Sequence, residues 1–121
     1  MDRLKVLLVD DHERFRQSVA AFLNEQGSVE IVGEAVNGDE AITKTEQLRP
    51  DLVLMDVDMP NRDGFEATRE IKLQCPKTKV VILSMHGSEI YRRTAWRYAA
   101  DGFIDKSSMK EALLALIKDG K

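Results

Sequence analysis

The sequence is poor in the features that would tie it to a membrane, a secreted scaffold or a polyanion. It holds one cysteine, Cys75, so no internal disulfide can form, and a reducing compartment is expected. Cys75 precedes Pro76 as at a helix end and has no histidine near it in sequence, which argues against a reactive thiol. No stretch reaches the roughly 18 apolar residues of a membrane span. The opening "MDRLKVLLVDD" meets acid too early for a signal peptide, so the expected location is cytoplasmic with no membrane contact. The net charge of −3 lacks the positive excess that nucleic-acid binding would draw on. No linker, low-complexity tract or second composition regime is visible. At 121 residues the expectation is one domain spanning 1–121.

What is present is an alternation of two periods. Apolar strand-like runs fall at residues 4–9, 29–36, 52–55, 80–83 and 102–104, with helical segments between them. The first helix is predicted to open near His12 with Phe15, Val19, Phe22 and Leu23 on one face. The last runs from about Met109 with Ala112, Leu113, Leu116 and Ile117 in the same pattern, and Ser108 with Glu111 fits a capping box. Runs such as "KVLLV", "LVLM" and "VVIL" are apolar on both faces, as in a parallel sheet covered by helices on both sides. The fold class is therefore α/β, a flavodoxin-like (βα)5 doubly wound sheet of order 2-1-3-4-5.

Such sheets carry their sites at the carboxyl ends of the strands. The first strand leads into Asp10 and Asp11, the third into Asp56, the fourth into Ser84 and the fifth into Lys106, while the second ends at Val36 and Asn37 with nothing reactive. Three carboxylates meeting in a partly dehydrated pocket either raise a pKa or take up a cation. A hard divalent ion is the simpler solution, and Mg²⁺ commonly takes one or two carboxylates plus a phosphate oxygen. An aspartate can itself be the nucleophile in phosphoryl transfer, giving an acyl phosphate. Asp56 ends the central strand of the set and is the expected acceptor, with Mg²⁺, Lys106 and Ser84 or nearby amides meeting the three phosphoryl oxygens.

With these residues assembled, the chain resembles the receiver domains of bacterial two-component response regulators. The motifs "LLVDDH", "DLVLMDVDMPNRDG", "VVILSMH" and "AADGFIDKSS" come in that family's order and cover nearly the whole chain. The resemblance implies that Asp56 is the phosphoacceptor, and that Asp11, Asp56 and the Asp58 backbone carbonyl ligate Mg²⁺ with Asp10 acting through water. It further implies that Ser84 and Lys106 contact the phosphoryl group, and that Phe103 is the switch aromatic beside Ser84. A sensor histidine kinase is the implied partner, with a homodimer on phosphorylation as one expected assembly. The wording of "DDH", "LSMH" and "ADGFIDKSS" is most similar to the NarL/FixJ (LuxR-type) group, whose members usually continue into a DNA-binding domain beyond a point equivalent to "LIKDGK". Four positions depart from the common pattern. Ala99 stands where glycine is frequent and implies a less sharp helix end. Ser107 replaces a proline, the bulk of Met85 is expected to restrict access, and Asp58 adds an acid whose side chain can face the pocket.

Other readings compete for the same residues. Asp63 in "NRDG" is read as a helix cap rather than a ligand, and His12 and His86 as helix-start and loop residues. In "EIYRRTAWRYAA", Tyr91, Ala95 and Tyr98 share one helical face and Trp96 points elsewhere, so at least one large aromatic is expected at the surface. "LVLMDVDMP" also imitates the opening of haloacid-dehalogenase-like phosphohydrolases, in which Asp58 would be a general acid/base. A flavodoxin-like nucleotide module is the third alternative, opposed by "DDHERF" where a phosphate cradle would stand.

Overall fold

The computed structural model describes residues 3–59, 63–87 and 89–119, without the side chains of Asp63 and Asp119. Along the chain come β1 (Leu4–Val9), α1 (Glu13–Asn24), β2 (Val29–Ala35), α2 (Gly38–Leu48), β3 (Leu52–Asp56) and α3 (Asp63–Gln74). They are followed by β4 (Lys79–Ser84), α4 (Glu89–Arg97), β5 (Gly102–Asp105), a 3-10 turn at Lys106–Ser108 and α5 (Met109–Asp119). The five strands pair in parallel in the order β2-β1-β3-β4-β5, as their two-sided apolar runs require.

Strand alternation divides the core in two. Val6 and Leu8 of β1, Leu52 and Leu54 of β3, and Val81 and Leu83 of β4 pack with Val19 and Leu23 of α1 and with Leu113 and Ile117 of α5. The intervening residues Leu7, Val9, Val53, Met55, Val80 and Ile82 face Ala41 of α2, Phe65 and Ile71 of α3, and Ala95 of α4. Because β3 is paired on both edges and covered on both faces, all five of its residues are buried, Asp56 among them.

The strand ends lie close to their predicted places, with physical reasons for each difference. β2 stops at Ala35 because the next residues turn to cap α2: Asn37 accepts from the Glu40 N–H at 2.8 Å, and the Val36 N–H donates to Glu40 Oε1 at 3.1 Å. β3, β4 and β5 each run one residue further than the apolar pattern, since the ladder continues through Asp56 opposite Leu83 and Ser84 opposite Asp105. At the last helix Ser108 lies inside the 3-10 turn, whose cap is Asp105, accepting from Ser107 N and Ser107 Oγ at 2.9 Å. Ala99 corrects another expectation. It adopts φ +69°, so the chain turns sharply after α4 in the left-handed region that glycine would enter without strain. Residues 60–62 lie outside the described residues, as does the Asp63 side chain, read from the sequence as a helix cap.

Candidate functional site

The carboxyl ends of β1, β3, β4 and β5 bring the predicted residues together. Asp56, with no exposed surface, accepts from the Lys106 ammonium at 2.9 Å and from the Asp58 N–H at 2.9 Å, both at Oδ1. The same ammonium lies 3.2 Å from Asp58 Oδ2 and 4.0 Å from Asp10 Oδ2. Asp10 is buried and Asp11 exposed; the Asp10 Oδ1 accepts from the His12 N–H at 2.7 Å, which fixes the turn out of β1. One donor atom from each of Asp10, Asp11, His12 and Asp56 lies within 4.8 Å of the others. The Asp58 carboxylate is not among these clustered atoms and is engaged at the exit of β4.

Asp58 instead holds the exit of β4. Its Oδ1 accepts from the Ser84 hydroxyl at 2.9 Å and its Oδ2 from the Met85 N–H at 2.8 Å, while Ser84 Oγ accepts from the His86 N–H at 2.9 Å. Met85 therefore meets the site through its amide, and the residue is 68% exposed. The same engagement counts against a phosphohydrolase, which would need the Asp58 carboxylate free as general acid/base.

Burial pushes the Asp56 carboxyl up to about 6, against the pull of the Asp58 N–H and of Lys106. Asp58 is also opposed by burial, yet the Met85 N–H, the Ser84 hydroxyl and Lys106 outweigh it and hold the carboxyl below its usual range. Lys106 is raised, because the carboxylates around it outweigh the burial that would lower it. Among the described residues, the Asp10 and Asp56 Oδ2 atoms are buried without a hydrogen-bond partner. Two orphaned carboxylate oxygens in one acidic pocket are the donor set a hard cation would satisfy, so the residues fit a Mg²⁺ site.

Three supporting residues escaped the sequence reading. Phe15, predicted as plain core, sets its ring 4.4 Å from the Lys106 ammonium, a cation–π contact that helps to aim it. Arg16 donates to the Asp10 carbonyl at 2.7 Å and to Glu34 Oε1 at 2.5 Å, bracing the acidic turn against β2, where Lys44 also donates to the Glu34 carbonyl. A polar residue in the first turn of α1 facing an acid late in β2 was the available signal. The third is Gly64: a Cβ there would lie 2.7 Å from the Asp56 carbonyl oxygen and 2.9 Å from Val57 Cγ1, so only glycine lets α3 start this close to the site.

Phe103 of β5 is half-buried against the α2–α4 side of the core, with the Arg92 guanidinium 4.8 Å above its ring. Tyr91 and Tyr98 pack on Phe65 from the same face as Ala95, and Trp96 is 69% exposed, as the helical pattern implied. His86 lies against Tyr91 with ring centroids 5.1 Å apart.

Comparison with known proteins agrees with this geometry. Residues 6–118 match the response regulator receiver domain family. The response regulator protein VraR of Staphylococcus epidermidis is 42% identical over 118 residues, which cover 96% of this chain and 54% of that protein. The chain thus spans about half the length of the curated relatives it matches. Among solved structures, a LuxR-family two-component response regulator from Aurantimonas sp. SI85-9A1 superposes with a TM-score of 0.90 at 29% identity, covering 98% of this chain and 84% of that one. The response regulator domain of Thermotoga maritima CheB gives 0.85 at 31% identity, covering 98% and 96%. The chain belongs to the receiver domain family of two-component response regulators and is related to its LuxR-type members.

Proposed function

We propose that Asp56 accepts a phosphoryl group from the phosphohistidine of a sensor histidine kinase, and that the new charge switches an output interface. The observation that carries this reading is a fully buried carboxylate with one oxygen on Lys106 at 2.9 Å and the other without a hydrogen-bond partner. In the transfer the donor's P–N bond breaks with its electron pair kept by the imidazole, and an Asp56 oxygen forms the new O–P bond. Lys106, firmly charged, meets the charge on one outer oxygen; the Ser84 hydroxyl and the Met85 N–H are the donors within reach of the others. Asp10, Asp11, Asp56 and the Asp58 carbonyl would hold Mg²⁺, which when bound supplies the charge that offsets the phosphoryl oxygens. The same constellation lets the domain assist both its own phosphorylation and its dephosphorylation.

Drawing Ser84 toward a phosphoryl group shifts the region from Ser84 to Phe103 between two packings. Phe103 has no hydroxyl, so it reports the change through packing alone, as a shift between two populations. The output is transcription control through a DNA-binding domain outside this chain, with homodimerisation on phosphorylation and a cytoplasmic setting. No described helix is long and apolar enough to cross a membrane. The test is incubation with Mg²⁺ and acetyl phosphate followed by intact-mass measurement. A labile addition of one phosphoryl group is expected in the parent and not in Asp56→Asn; equal uptake by both would sink the proposal.

A further inference from the structure

The donors that would receive the phosphoryl group already have an occupant. Ser84 Oγ donates to Asp58 Oδ1 at 2.9 Å, the Met85 N–H donates to Asp58 Oδ2 at 2.8 Å, and the Lys106 ammonium lies 3.2 Å from the same Oδ2. A hydroxyl, a main-chain amide and an ammonium converging on two carboxylate oxygens form an anion receptor, and charge-assisted hydrogen bonds of this kind are the strong ones. Asp58 reaches it from the loop after β3, two residues past Asp56, and its side chain is only 14% exposed. Nothing in the composition or strand pattern demands an acid here.

The geometry points to Asp58 as a built-in surrogate for the phosphoryl group: in the unphosphorylated domain its carboxylate fills the Ser84, Met85 and Lys106 receptor, and phosphorylation of Asp56 must evict it. This inference rests on the reading of Asp56 as phosphoacceptor. Two anions cannot share these donors, because the Ser84 hydroxyl has one proton to give and the Met85 amide has one. Asp58 is a positioning residue, not a catalytic one, since it acts by holding the receptor closed. The contact also pins residues 84–86: Ser84, held by Asp58, in turn accepts from the His86 N–H at 2.9 Å, and His86 lies against Tyr91 of α4. Removing the surrogate therefore both frees the receptor and loosens the segment through which the switch acts. The apparent affinity for the phosphoryl group is lowered by the fraction of molecules in which the receptor is closed.

Two measurements on the whole chain test this. The first needs neither metal nor phosphate: amide hydrogen exchange of Met85 followed by NMR in the parent, Asp58→Asn and Asp58→Ala. Asparagine has the same shape but one acceptor oxygen and can keep one of the two donors, so Asp58→Ala is the variant expected to speed Met85 exchange, by about tenfold or more. Unchanged exchange would overturn the inference by showing that the contact is not populated in solution. The second is titration with beryllofluoride, a phosphoryl analogue, in the presence of Mg²⁺, with bound fluoride counted by ¹⁹F NMR. Both variants are expected to bind it about tenfold more tightly than the parent. Equal or weaker binding by the variants, with a parent that does bind, would overturn the surrogate while leaving the Asp56 reading intact. Binding by none of the three would overturn the Asp56 reading, and the surrogate, which presupposes it, would fall with it.

Discussion

Replacing Asp56 by asparagine should stabilise the metal-free protein. The carboxyl is fully buried, its Oδ2 has no hydrogen-bond partner, and burial raises its pKa from 3.8 to about 6 even with Lys106 alongside. A folded-state pKa raised by about two units means that ionised Asp56 weakens the native state by at most about 3 kcal/mol at neutral pH, at roughly 1.4 kcal/mol per unit. Asparagine keeps an Oδ1 to accept from Lys106 and from the Asp58 N–H, fills the same volume and carries no charge to desolvate. The gain expected at pH 7.5 is therefore about 1 to 3 kcal/mol, and about 4 °C in Tm per kcal/mol for a domain of this size. The sign fixes the pH window. The native carboxyl binds its proton more tightly than the unfolded one, so the contribution of Asp56 to stability falls as pH rises from about 4 to about 6 and is level above that. The asparagine variant lacks this loss, so the two converge below about pH 4 and separate across the window. Urea unfolding of both proteins in chelator from pH 4 to pH 8 measures the difference directly. A variant less stable than the parent at pH 7.5, or a difference that ignores pH, would refute the reasoning.

Adding about 10 mM Mg²⁺ should raise the stability of the parent by roughly 1 kcal/mol for millimolar affinity, and clearly less that of Asp56→Asn; equal shifts in a thermal melt would place the ion elsewhere. Ala99 sits at φ +69°, where a side chain is strained by roughly 1 kcal/mol, so Ala99→Gly should raise Tm by about 4 °C, and a lower Tm would contradict that. Gly64→Ala should destabilise by about 1 to 3 kcal/mol, because the new Cβ meets the Asp56 carbonyl oxygen at 2.7 Å; unaltered urea unfolding would show that α3 can move aside.

Much of this molecule is legible in the sequence because parallel strands covered on both faces leave apolar runs, and such runs end where the chain becomes polar. Asp10, Asp56, Ser84 and Lys106 could be brought to one edge from the strand order alone. What escaped depends on atoms that leave no pattern. The partner of Asp58 Oδ2 is the Met85 amide, a group that every residue except proline carries, so the residue type at 85 drew attention to a side chain that points into solvent. Phe15 satisfies the core-facing period of α1 whether or not an ammonium rests against its ring. Ala99 takes a left-handed turn that its residue type argues against, because packing around α4 and β5 overrides a local preference of roughly 1 kcal/mol. Ser108 and Glu111 have capping-box spacing, but Asp105 was equally placed to cap one turn earlier, and spacing alone does not rank the two.

Chemical location of the phosphoryl group decides whether Asp56 is the acceptor. After reaction with Mg²⁺ and acetyl phosphate, borohydride reduces an acyl phosphate to the alcohol, so a phosphorylated aspartate is read as homoserine in a peptide digest. Homoserine is expected at position 56 and at no other acid. Homoserine at Asp10, Asp11 or Asp58, or its absence from a protein shown to take up phosphate, would contradict it.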